Sequence, residues 1–214
     1  MIIAHISPRT AGKTTSAGWH AHALHERGYS VTAFEADHSR QLAEWDVRAG
    51  GFPFTVQQQP SPMFHKNVPP SLALGQIGVV DCGHAEDHRA IVLSVLRVAD
   101  LAILNTAPTR ADIDRIERMP MREFIEEVAV LRPDGEPPET WVLLNRTTAS
   151  SRSTKDYRDY LTDDGWNVFT TTIPNLQMYA QSMLSPITAN GSAYDALVTE
   201  MVERGMLPKL EVQK

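Results

Sequence analysis

The chain has 214 residues, 42% of them hydrophobic and 21% charged, enough for one sizeable core and short for two independent ones. Its 20 Lys and Arg stand against 26 Asp and Glu, a net charge of -6, which excludes a general polycation and leaves any DNA contact to a local patch. The single Cys82 excludes an intrachain disulfide framework and a multi-cysteine zinc site. The opening MIIAHIS is too short for a signal segment and no run of roughly 18 apolar residues follows, so the expectation is a soluble, cytoplasmic chain.

Short apolar runs alternate with helical stretches from end to end, which predicts crossover units on a mainly parallel, twisted sheet with helices on both faces, an α/β fold. The first strand is Ile2 to Ser7, followed by a Gly-Lys turn and a helix from Thr14 to Arg27 that Gly28 stops. A second strand, Ser30 to Ala36, ends in the acids Glu35 and Asp37. IGVVD (77–81), LAILN (101–105) and WVLLN (141–145) supply three more. Helices are expected over His38 to Ala49, Glu86 to Val98, Ala111 to Leu131, Thr154 to Leu161 and Asn190 to Arg204. The last of these places Tyr194, Leu197, Val198, Met201 and Val202 on one face. The proline-rich stretches Pro60 to Ser71 and Arg132 to Thr140 read as surface loops, and the tail beyond Gly205 as frayed. Residues 1–205 form one domain in this reading, with 206–214 as a C-terminal tail.

The segment SPRTAGKTT, Ser7 to Thr15, lies between the first strand and the first helix. Backbone N–H groups at a helix start can wrap a polyphosphate, Lys13 can reach the β and γ phosphates, and the Thr14 hydroxyl can ligate Mg²⁺. Ser7, Arg9, Thr10 and Ala11 stand where such loops carry glycines or other small residues, which makes this a weakened phosphate loop. Thr10 and Ala11 do not freely adopt positive φ. Asp37 and Asp81, at the ends of strands that face the same crevice, complete the pattern. Asp37 also reads as an N-cap for the helix that begins at His38.

The ordered set GKTT, VTAFEADHSRQLAEW, GVVDCG, LAILNTAPT, WVLLNR and TTIPNLQMYAQSM resembles the ParA/MinD family of deviant Walker ATPases, most closely small ParA and ParF-type partition members, over residues 1–205. The resemblance implies a P-loop NTPase that binds ATP and Mg²⁺. It puts Arg9, Thr10, Ala11, Gly12, Lys13, Thr14 and Thr15 around the phosphates, with Asn145, Arg146, Pro174 and Asn175 around the base. It makes Thr14, Asp37 and Asp81 the metal-side groups, Asp81 acting through water, and Lys13, Asp37 and Arg9 the catalytic set, Asp37 orienting the attacking water. The family signature carries a lysine that crosses to the partner's phosphates in an ATP sandwich dimer. Pro8 aligns there, and a loop shorter by one residue puts Arg9 in its place, with a guanidinium suited to phosphate.

Cys82, His84 and His88 have a spacing that a metal could use, but a position directly after Asp81, exposed beside the nucleotide, accounts for them without one. His20, His22 and His25 cannot share one helix face and read as surface and interface residues. Two basic stripes, Arg115, Arg118 and Arg122, then Arg152, Lys155 and Arg158, are the candidate DNA contacts, each diluted by acidic neighbours. No helix-turn-helix extension precedes the loop, and MLPKLEVQK lacks a long amphipathic membrane helix. The expectation is a weak, partner- and DNA-stimulated ATPase, cytoplasmic and nucleoid-associated. It dimerises on ATP, binds nonspecific DNA and works with a small ParB-like or centromere-binding partner to segregate plasmid, phage or chromosomal DNA. The rival readings are positioning of a protein cargo, as in carboxysome distribution, and a degenerate nucleotide-binding scaffold without useful hydrolysis.

Overall fold

The computed structural model describes residues 1–148 and 152–210, so residues 211–214 of the expected tail lie outside the described residues. In chain order the strands are β1 (Ile2–Ile6), β2 (Val31–Ala36), β3 (Thr55–Gln58), β4 (Ile77–Cys82), β5 (Leu101–Thr106), β6 (Glu139–Leu144) and β7 (Asn167–Val168). The helices are α1 (Lys13–Glu26), α2 (Gln41–Arg48), α3 (Phe64–Asn67), α4 (Arg89–Leu96), α5 (Arg110–Arg118), α6 (Met121–Glu126), α7 (Arg152–Asp163), α8 (Gln177–Ala180) and α9 (Ala193–Glu203).

The strands make one sheet in the order β3-β2-β4-β1-β5-β6-β7, with every pairing parallel. Central strands buried on both faces explain the unbroken apolar runs. Alternation along each strand divides the core: Ile2, Ala4 and Ile6 join Phe34, Val80 and Leu104 under α3 to α7, whereas Ile3, Ala33, Val79 and Ile103 pack beneath α1, α2 and α9. The chain leaves β1 toward β2 on one side and, after β4, crosses to β5 on the other. That reversal opens a crevice at the strands' C-terminal edge, where β1, β2, β4, β5 and β6 all end.

Gly28 ends α1 as the sequence predicts. At φ 93° its N–H donates to His25 O (2.8 Å) while Tyr29 N–H donates to Leu24 O (3.1 Å), a left-handed cap. Open space surrounds the position where a Cβ would sit, so only backbone strain opposes Gly28→Ala. The substitution is expected to lower stability by about 1 kcal/mol, read as a shifted urea midpoint with an unchanged m-value.

Several expectations need correction. The helix foreseen over Ala111 to Leu131 is two helices, because Pro120 has no N–H to continue the ladder and the chain turns there. The loop from Pro60 to Ser71 is anchored, not merely superficial: α3 lies within it, and Phe64 and Val68 are fully buried. The loop expected to Thr140 yields its last residues to β6. Strands β3 and β7 were not foreseen, being short, polar edge strands without an apolar run. On α9, Tyr194, Leu197, Val198 and Met201 are buried but Val202 is exposed. Met206 and Leu207 pack against the α1 face of the core, and so do not fray. His20 and His22 are buried, not superficial, with His22 bonded to Gly18 O (2.7 Å) and set edge-on to Phe52 and Phe54.

Candidate functional site

The turn from β1 to α1 is built around Gly12, whose φ of 82° starts the helix in the left-handed region. The loop manages without further glycines, since outside glycine only Arg40 and Arg146 take positive φ among the described residues. Thr10 and Ala11 therefore sit in ordinary backbone. No side chain caps α1, which leaves its first N–H groups free for an anion. Lys13 is buried and donates to Ser7 Oγ (2.9 Å) and Arg9 O (3.3 Å), and Ser7 Oγ donates to Arg9 O. Burial lowers the Lys13 pKa, with Asp81 the leading opposing charge.

Two carboxylates, Glu35 of β2 and Asp81 of β4, meet here from adjacent strands, with Asp37 just beyond the end of β2. Asp81 is fully buried, with the Thr14 hydroxyl and the Lys13 ammonium as the groups that favour its charge. Burial holds its pKa well above the usual carboxylate range, the nearby Glu35 adds to this, and the Thr14 hydroxyl and Lys13 pull the other way. Glu35 pairs in register with Asp81. Its Oε2 accepts from Leu42 N–H (2.7 Å) and Ala43 N–H (3.4 Å), so Glu35, not Asp37, caps α2. Burial raises the Glu35 pKa to about 7. Asp37 is half-buried at the mouth, accepts from Ser39 N–H (3.1 Å) and has His88 Nε2 3.6 Å from its Oδ1.

Two adjoining cavities occupy the crevice. One, of about 280 Å³, is lined by Thr10 to Thr15 together with Asp37, Ser39, Gln41, His84, Arg146 and Met183. The other, of about 240 Å³, is lined by Gly12, Thr15, Asn145, Arg146, Ile173, Pro174, Asn175, Leu176, Tyr179, Ala180 and Tyr194. Gly12, Thr15 and Arg146 face both, and Arg146 holds a positive φ of 55°, the kind of strain that concentrates at functional sites. The structure thus gathers Thr10 to Thr15, Asp37, Asn145, Arg146, Pro174 and Asn175 around one cleft.

Arg9 and Asp81 line neither cavity. Asp81 is buried beside Lys13 and Thr14, which do line the first cavity. Arg9 is exposed and paired with Glu86 (2.5 Å), which raises its already high pKa. The segment after β4 is laced to the loop, with Ala85 N–H donating to Ser7 O (3.1 Å), Glu86 N–H to Pro8 O (3.4 Å), and Thr10 Oγ1 lying 3.2 Å from His84 Nε2. His84 also pairs with Asp87, and Cys82 is buried with its thiol pKa pushed up by desolvation. No set of three metal-ligating side chains converges among the described residues.

The chain is similar to solved structures of nucleotide-binding proteins. A McdA variant from Cyanothece in complex with ATP matches at 10% identity and a TM-score of 0.72, covering 98% of each chain. A candidate plasmid partition protein from Borrelia burgdorferi B31 bound to AMPPNP matches at 12% identity and 0.71, covering 95% of this chain and 98% of that one. The septum site-determining protein MinD of Pyrococcus horikoshii OT3, complexed with Mg-ADP, matches at 20% identity and 0.62, covering 95% of each. The fold is that of the ParA/MinD-type P-loop ATPases. No protein-family model matches the chain, and no curated protein matches it in sequence. Within this ParA/MinD-type fold the basic stripes are broken. Arg122 falls on α6, beyond the Pro120 turn, where it stacks on Trp166 (4.3 Å) and pairs with Asp164, while Arg158 donates to Thr170 O (2.8 Å). Arg115, Arg118, Arg152 and Lys155 remain on α5 and α7, clear of these internal contacts. No helix among the described residues is long and apolar enough to cross a membrane.

Some of the site escaped the sequence reading. Asn105 ends the apolar strand LAILN fully buried, and His5, inside the first apolar run, meets His20 at 3.0 Å. A polar residue interrupting a wholly apolar central strand was the signal available for both.

Proposed function

We propose that the chain is a ParA-type ATPase that binds ATP with Mg²⁺ in this cleft, dimerises in that state, and is reset by a small partner protein. The observation that carries the reading is the fully buried Asp81 carboxylate beside Lys13 and Thr14, next to an uncapped helix start. A carboxylate so desolvated, with only a threonine hydroxyl and one ammonium to favour its charge, is a costly arrangement for an apo core and a suitable one beside a hydrated cation. Thr14 would hold Mg²⁺ directly, Asp81 through water, with Asp37 nearby at the mouth. Once bound, the ion neutralises charge on the β and γ phosphates. The chain's own residues do the rest. The first N–H groups of α1 and Lys13 cradle the phosphates, Asp37 accepts a hydrogen bond from the attacking water, and Asn145, Arg146, Pro174 and Asn175 enclose the base.

Arg9 is the proposed trans cation of the dimer, and a partner's phosphates must draw it from Glu86. The cargo is proposed to be plasmid, phage or chromosomal DNA, with nonspecific DNA held by the doubled Arg115, Arg118, Arg152 and Lys155 surfaces and a ParB-like or centromere-binding protein as partner. A protein cargo is the second reading. It is favoured by the engagement of Arg122 and Arg158 inside the fold and by the likeness to McdA.

Sedimentation with a non-hydrolysable ATP analogue, with and without DNA, tests these proposals. Wild type should dimerise with the analogue, and Arg9→Ala should keep nucleotide affinity while losing the dimer. ATP-dependent DNA binding with a steep salt dependence supports the DNA cargo. A dimer that ignores DNA at low salt supports the protein cargo. ATP binding with neither dimer nor hydrolysis leaves the degenerate scaffold.

A further inference from the structure

Between the two cavities and the core runs a chain of buried amides with a definite direction. Asn105, fully buried at the end of β5, has its Nδ2 3.0 Å from Ile103 O and 3.3 Å from Ile6 O. Backbone carbonyls only accept, so they fix which end of the Asn105 amide faces them. Its Oδ1 is thereby turned to Asn145 and accepts from Asn145 Nδ2 at 3.1 Å. Asn145 Nδ2 also donates to Ala11 O (2.9 Å) and lies 3.2 Å from Ser16 Oγ. Flipping the Asn145 amide would set its oxygen against two acceptors, Asn105 Oδ1 and Ala11 O.

The network is closed on its far side by His5, whose Nδ1 lies 3.2 Å from Asn105 Nδ2 and whose Nε2 lies 3.0 Å from His20 Nδ1. Burial brings the His5 pKa down to about 3, which keeps the ring neutral and able to accept from Asn105. One polar atom of Asn145 is left over. Its Oδ1 is buried, has no partner among the described residues, and belongs to a side chain that lines the cavity shared with Gly12, Thr15, Pro174 and Tyr179.

An unsatisfied acceptor in a base pocket selects a ligand that brings a donor. Adenine carries an exocyclic amine where guanine carries a carbonyl oxygen, so the first satisfies Asn145 Oδ1 and the second opposes it. We infer that Asn105 is a positioning residue for base selectivity, holding the Asn145 amide with its oxygen toward the nucleotide so that the cleft prefers adenine to guanine. The inference rests on the proposed nucleotide reading. Asn105 itself lines neither cavity.

The test is calorimetric titration of ATP and of GTP, each with Mg²⁺, into wild type, Asn105→Ala and Asn105→Asp, with thermal melts to confirm folding. Wild type should prefer ATP. Asn105→Ala removes one neutral hydrogen bond that orients Asn145, and the ATP-to-GTP affinity ratio should fall by about three- to tenfold. Asn105→Asp should keep the preference, because a carboxyl group in either protonation state presents an oxygen to Asn145 Nδ2. Asn105→Leu fills the same space without polar atoms and replaces the alanine variant if the cavity unfolds it. A merely structural Asn105 lowers both affinities together, and an unchanged ratio in the alanine or leucine variant overturns the inference. Loss of the preference in Asn105→Asp does the same, as does a wild type that binds ATP and GTP equally. A wild type that binds neither nucleotide overturns the nucleotide reading and this inference with it.

Discussion

Lys13→Ala is expected to weaken ATP binding by about tenfold to a hundredfold, since hydrogen bonds to charged groups contribute about 1.5–3 kcal/mol and each 1.4 kcal/mol is a factor of ten. The ammonium is buried under the loop, held by Ser7 Oγ and Arg9 O, with Asp81 as its leading charge partner. A polyphosphate wrapped by the first turn of α1 would offer it stronger acceptors than a hydroxyl and a carbonyl, so the substitution removes an interaction that strengthens when nucleotide binds. The same substitution leaves Asp81 without the cation that counters its desolvation, so the ligand-free variant should also melt lower than wild type. Calorimetry with ATP and Mg²⁺ reads the first effect and a thermal melt the second. Equal ATP affinity in the two proteins would remove Lys13 from the phosphate site and the phosphate loop from the proposal.

How much of this was legible in the sequence depended on whether local pattern or tertiary neighbours decided the outcome. The central strands β1, β2, β4, β5 and β6 were visible because burial on both faces demands uninterrupted apolar residues, and Gly28 was visible because a left-handed cap demands glycine. Lys13, Thr14, Asp37, Asn145, Arg146, Pro174 and Asn175 were legible through their order along the chain, and the cleft gathers them from separate segments. Pro120 was in plain view inside a helical pattern, yet the period on either side outweighed it, and the result was a spurious arginine stripe through Arg122. An N-cap was the alternative role that proximity offered Asp37, whereas it is Glu35 that reaches the Leu42 and Ala43 N–H groups across the turn. Spacing alone could not place His20 and His22, since whether a helical histidine is buried depends on what packs over it, here β1 and the Phe52 and Phe54 rings. The Asn105 to Asn145 contact joins residues 40 positions apart, one in β5 and one just past the end of neighbouring β6, a pairing only the sheet order creates.

The same tertiary placement sets function against stability at Asp81, and Asp81→Asn is expected to move the two in opposite directions. In the folded chain Asp81 and Asp37 act on the Lys13 ammonium while Glu35 crowds Asp81, and Asp81 is fully buried with only the Thr14 hydroxyl and Lys13 to offset its desolvation. A carboxylate so placed is costly for the Mg²⁺-free protein, and replacing it with a neutral amide should stabilise that form by about 1–3 kcal/mol at neutral pH. The sign follows from linkage. A carboxyl group whose folded pKa is raised contributes stability that is present below its unfolded value near 3.8 and is lost as pH climbs toward the folded value. Glu35 behaves likewise between its ordinary 4.5 and about 7. Urea midpoints of wild type without Mg²⁺ should therefore fall from pH 5 to pH 8, and those of Asp81→Asn should fall less. Hydrolysis moves the other way. An amide cannot supply the negative charge that steadies a hydrated cation beside Thr14, so Mg²⁺-dependent ATPase activity should drop by at least about a hundredfold, in the range that loss of a charge-stabilising group produces. If the variant melts lower than wild type at pH 8 without Mg²⁺, its amide has failed to replace a structural contact and Asp81 belongs to the core's own bonding. If it melts higher and still hydrolyses ATP at the wild-type rate, Asp81 has no part in holding the cation.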